Sequence, residues 1–112
     1  MTGNAINYPF PEICAAVPFT DLGPEFRTPV SSGVRALFIS GTPDGRTPVS
    51  NAEEVLRGFP RGEHLIVDGA GHVDDIFISS PVILETVLAF LREEPLPTNR
   101  ITVPFDLVSA DR

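Results

Sequence analysis

Apolar and polar positions fall into two regimes along this chain, with the boundary near Gly33. The segment VRALFIS at 34–40 is almost continuously apolar and runs into Gly41 and the turn residues Pro43-Asp44-Gly45. A run that is apolar on both faces predicts a strand buried in a parallel sheet, not a half-exposed antiparallel one. Ser50 followed by Glu53 is a capping-box pattern, in which each side chain satisfies an orphan amide of a helix start. Ala52, Val55, Leu56 and Phe59 then recur at helical spacing, and Gly58 and Pro60 supply a stop. HLIVD at 64–68 predicts a second short buried strand, ended by Gly69-Ala70-Gly71. Ser80 before Pro81 opens another helix, since proline at the first helical position gives up only an orphaned donor. Ile83, Leu84, Val87, Phe90 and Leu91 form its broad apolar stripe, and Pro95 ends it. An edge strand at 101–103 and a polar tail complete the pattern.

Upstream of Gly33, Pro9, Pro11, Pro18, Pro24 and Pro29 punctuate the chain. Each removes a backbone donor and pushes its predecessor toward extended geometry, so regular structure there is short. Residues 12–17 suit one helical turn, and the remainder reads as ordered loop laid against something else. The organisation is therefore a proline-rich lead-in at 1–33, a strand-helix-strand-helix unit at 34–94, and a tail at 95–112. Sequential strands joined by a helix run parallel with a right-handed crossover. Two strands alone make a poor sheet with unpaired edges, which implies a missing partner.

Composition narrows the function classes. The 112 residues suffice for one small domain, with 42% hydrophobic and 21% charged residues, values ordinary for a folded chain. The net charge of -7, from 15 acidic and 8 basic residues, repels phosphate backbones and anionic lipid surfaces, so neither nucleic acid nor membrane is expected as a partner. No segment approaches the ~18 apolar residues of a membrane span. The first eleven residues lack a basic n-region and an apolar h-region, so no signal peptide is predicted on this chain, and the location of a longer parent stays unassigned. The lone Cys14 cannot form a disulfide within the chain.

Parallel strands send their outgoing loops to one carboxyl edge, where ligands bind in open α/β sheets. Here the first such loop carries Asp44 and the second carries His72. With neighbouring strands ~4.8 Å apart, the two side chains can reach hydrogen-bonding contact. An acid that orients an imidazole is two-thirds of a Ser-His-Asp triad. The bland readings stand beside this one. Pro-Asp-Gly is a common turn, and His72 in a glycine-rich loop can be a plain surface residue. His72, Asp74 and Asp75 form a possible metal cluster, but without a recognised ligand spacing. His64 at a strand start is expected to face solvent, and Cys14 reads as a small apolar residue.

The segment LFISGTPDGRTP at 37–48 resembles the acid-bearing segment of α/β-hydrolases similar to tripeptidyl aminopeptidases and proline iminopeptidases. Ser50-Asn51-Ala52-Glu53-Glu54-Val55 resembles the helix that follows in that family, and Gly69-Ala70-Gly71-His72 its histidine loop. Pro11-Glu12-Ile13-Cys14 and Asp21-Leu22-Gly23-Pro24 resemble the stretch before the acid strand, so the likeness covers roughly residues 9–91. It implies an α/β fold, the C-terminal part of an α/β-hydrolase, completed by a partner chain or by self-association. It also implies that Asp44 is the triad acid and His72 the general base, with no cofactor, no metal and a peptide or ester substrate.

The sequence departs from the family in two respects. No G-x-S-x-G nucleophile elbow occurs, and Ser31, Ser32, Ser40, Ser50, Ser79, Ser80 and Ser109 are the serines present. Ser40 runs into the turn that places Asp44, while Ser50 and Ser80 read as helix caps. The upstream oxyanion-hole loop is missing as well. The expected partner is thus an N-terminal hydrolase portion carrying the serine. A self-associating, non-catalytic module is the alternative, and a minimal hydrolase using Cys14 or a loop serine is a third reading.

Overall fold

The structure, a computed structural model, describes residues 10–17, 20–72 and 74–104, apart from the side chains of residues 10, 11, 14, 74 and 75. Three parallel strands, β1 (Ala36–Gly41), β2 (Gly62–Asp68) and β3 (Arg100–Thr102), form a sheet in the order β1-β2-β3. The register runs from Ala36↔Gly62 to Gly41↔Val67, and from Ile66↔Arg100 to Asp68↔Thr102. The expected parallel α/β arrangement is therefore present. Among the described residues β1 pairs with β2 alone, so its other side is an edge.

Strand β2 is central, paired with β1 on one side and β3 on the other. Leu65 and Val67 are fully buried, and with Ala70, Ile76, Ile83 and Val103 they make the core. Leu37, Ile39 and Ile101 pack against that cluster from the flanking strands. Helix α2 (Val49–Leu56) packs against β1 and β2. Phe59, which follows it, meets Phe38 edge-on with ring centroids 5.6 Å apart. Helix α4 (Pro81–Leu91) contributes Ile83 and the buried Thr86. Its start is as expected: Pro81 occupies the first turn and the Ser80 hydroxyl accepts from the Val82 amide at 3.3 Å. Arg35 ties this helix to the sheet. Its guanidinium donates to the Phe90 carbonyl at 2.7 Å and to Glu63 at 3.0 Å, and lies 4.5 Å over the Phe90 ring.

Several expectations are corrected. β1 begins at Ala36 instead of residue 34, because pairing with β2 starts there and Val34 stays exposed. β2 begins at Gly62, two residues before the expected start. Helix α2 begins at Val49 behind Pro48, and no side chain caps it. Ser50 is thus inside the first turn and is not the cap. The apolar stripe of α4 splits: Ile83 is buried, while Leu84, Leu88 and Leu91 form an exposed line. β3 closes at Thr102, though the Val103 amide still donates to the Asp68 carbonyl at 2.8 Å.

Two short elements flank the unit upstream. The predicted single turn at 12–17 is helix α1 (Phe10–Ala16), and a 3-10 turn spans Pro24–Arg27. The Ser32 amide donates to the Gly58 carbonyl at 2.9 Å, joining the lead-in to the end of α2. The tail expected at 95–112 is described only to residue 104. Among the described residues no helix is long and apolar enough to cross a membrane.

Candidate functional site

The loops leaving β1 and β2 meet at the carboxyl edge of the sheet. They lie so close because Gly41 has no side chain. A Cβ there would stand 2.7 Å from the Gly71 carbonyl oxygen, and closer still to that of Ala70. Thr42 braces the junction: its amide donates to the Val67 carbonyl at 3.1 Å, and its hydroxyl accepts from the Gly69 amide at 3.2 Å. Gly69 turns the second loop back with φ of 88°, a conformation that favours glycine. Asp68, just before it, holds Arg100 of β3 through two bonds of 2.6 and 2.7 Å.

This framework brings Asp44 and His72 together. His72 Nδ1 lies 2.7 Å from Asp44 Oδ2, a charge-assisted distance. With a carboxylate as partner, the network assigns the Nδ1 proton to that contact. Nε2 then faces away from the acid, and no described residue bonds to it. The imidazole is about one-third exposed and the carboxylate only 2% exposed.

Asp44 is over-determined. Its Oδ1 accepts from the amides of Arg46 at 2.8 Å and Thr47 at 3.0 Å, an Asx-type turn. Its Oδ2 accepts from the Thr47 hydroxyl at 2.5 Å in addition to His72. These donors, His72 foremost and then Thr47, hold the Asp44 carboxyl far below the usual carboxylate range despite its burial. The acid is therefore ionised throughout the neutral range.

Other residues singled out from the sequence are placed elsewhere. His64 does not face solvent as expected. It is partly buried in β2, and its Nε2 lies 2.9 Å from Ser40 Oγ on the neighbouring strand. Burial depresses its basicity, while the charge of Glu53 opposes that shift. Ser40 is 5% exposed and its hydroxyl is engaged with that ring. Cys14 lies in α1, and its side chain is outside the described residues, as are those of Asp74 and Asp75 in the metal reading. The head of α3 (Asp74–Ile78) follows His72 closely, an element the sequence pattern did not predict. Thr47 was missed as a site residue. The available signal was a hydroxyl three positions after an aspartate in a turn.

Residues 2–102 match the family model described as TAP-like protein, one of the α/β-hydrolase families. Comparison with curated proteins and with solved structures produced no match. Since the family match spans nearly all of a chain with a parallel sheet and flanking helices, the protein belongs to the TAP-like α/β-hydrolase family.

Proposed function

We propose that this chain supplies the acid and the general base of a serine hydrolase acting on peptides or esters, with the nucleophile contributed from outside it. The contact between Asp44 Oδ2 and His72 Nδ1 at 2.7 Å carries the reading. It fixes the tautomer in which Nε2 is the basic nitrogen, as a base acting on a serine hydroxyl requires. In the reaction, Nε2 takes the serine proton as Oγ bonds to the acyl carbon. Collapse of the tetrahedral intermediate breaks the bond to the leaving amine or alcohol, which receives that proton from His72. Water repeats the sequence and frees the acid product. Asp44 stays ionised and stabilises the imidazolium. Proton transfer of this kind is worth about 10²–10⁴ in rate.

A fluorophosphonate probe tests the proposal. The isolated 112-residue chain is expected to remain unlabelled. Mixed with a serine-bearing upstream hydrolase portion, it should restore labelling and ester hydrolysis, and His72→Ala should abolish both. Labelling of the isolated chain, or restored activity that survives His72→Ala, contradicts the reading.

The exposed line of Leu84, Leu88 and Leu91 on α4 favours a second reading, a non-catalytic module that self-associates through apolar surface. A concentration-independent dimer in sedimentation experiments, with neither labelling nor complementation, would select it.

A further inference from the structure

Asp44 Oδ2 carries two donors, while Oδ1 is held separately by two backbone amides. The turn is therefore anchored without the Thr47 hydroxyl. Burial does not explain that hydroxyl either, because Thr47 is exposed. Its Oγ1 also stands 3.4 Å from His72 Nδ1, flanking the ring without replacing the carboxylate as its partner. We propose that Thr47 is a positioning residue that divides the charge of Asp44 Oδ2 between its own hydroxyl and His72. This role rests on the reading of Asp44 and His72 as acid and base.

The chemical consequence follows from hydrogen-bond electrostatics. An oxygen that already holds an O–H donor presents less negative charge to a second one, and donors to the charged form stabilise the carboxylate itself. The imidazolium formed during turnover is then oriented by Asp44 without being held too firmly. Transfer of its proton to the leaving group is eased. Because Oδ1 keeps its amides, loss of the hydroxyl alters the charge presented to the ring more than the position of the carboxylate.

Nuclear magnetic resonance of the full chain tests this with Thr47→Val, Thr47→Ala and Thr47→Ser. Removing the hydroxyl is expected to move the His72 ring Nδ1–H resonance downfield, as the undivided oxygen draws that proton closer. The proton affinity of Asp44 should rise about tenfold when one donor to its charged form is lost. Thr47→Ser should retain the wild-type resonance. A resonance that stays in place or moves upfield in Thr47→Val overturns the proposal, as does a serine variant that behaves like valine. Loss of folding in both Thr47→Val and Thr47→Ala also overturns it, because the hydroxyl would then belong to the framework. Failure of the catalytic reading shows elsewhere, as absent complementation while the downfield shift in Thr47→Val is still observed.

Discussion

Replacing Gly41 by alanine separates the loop junction from everything else in the fold. Gly41 is buried at the end of β1, in ordinary extended backbone, so the new methyl group meets no conformational penalty. It meets carbonyl groups instead. The added carbon would sit 2.7 Å from the Gly71 oxygen and 2.9 Å from the Ala70 carbonyl carbon, with the Ala70 oxygen nearer still. Real contacts of this type stay above 3.0 Å, and no flexible side chain is available to yield. The backbone at 70–71 has to retreat, carrying His72 with it. Overpacking of this kind costs about 1–3 kcal/mol. At the urea dependence typical of small proteins, that lowers the unfolding midpoint by about 1 M. Gly45→Ala in the same loop is the control: its Cβ would meet nothing within 4 Å. A compatible Gly→Ala change stabilises by about 0.4–1 kcal/mol through the unfolded chain. Urea titrations of the two variants should therefore move in opposite directions. The His72 ring N–H signal should weaken only in Gly41→Ala, since a retreat near 1 Å stretches the 2.7 Å bond beyond hydrogen-bonding range. Equal midpoints for Gly41→Ala and wild type, with the ring signal intact, would refute the claim that carbonyl contact at Gly41 sets the loop spacing.

Further predictions concern charge and packing. The folded Asp44 carboxyl lies below its unfolded value, so its contribution to stability is complete above the ordinary aspartate pKa of ~3.9 and disappears as pH falls toward the folded value. Urea midpoints taken from neutral to acid pH should show a shallower acid limb for Asp44→Asn than for wild type. Leu65→Ala removes a fully buried side chain and should cost about 2–5 kcal/mol. Leu84→Ala on the exposed line of α4 should stay within ~0.5 kcal/mol; the same denaturation series compares them. Arg100→Met breaks the paired bonds to Asp68, but the arginine is 57% exposed. Its cost should be at most ~1 kcal/mol and should shrink as salt is added.

The strands were legible as short continuous apolar runs ended by turn residues, and α4 from its apolar spacing behind the strong start Ser80-Pro81. The meeting of Asp44 with His72 was legible for a different reason, since parallel order alone sends both loops to one edge. Boundaries were less so. Ser50 and Glu53 satisfy the capping pattern, yet the backbone becomes helical at Val49, before the expected cap. Helix α3 spans only five residues, too few to show a period. His64 has its partner on the adjacent strand: Ser40 stands opposite Ile66, and Phe38 opposite His64. That pairing depends on a register no linear pattern displays. Thr47 was hidden because its role arises from how a tight turn folds its hydroxyl back onto Asp44.

The side of β1 that no described strand covers bears on how the protein is made. Its amides and carbonyls are a template for any extended chain that arrives first. Under the proposed reading, the serine-bearing portion competes for them with other nascent copies during synthesis. Soluble yield then depends on the order of events more than on final stability. Co-expression with a serine-bearing portion should recover more material than mixing the two after separate purification.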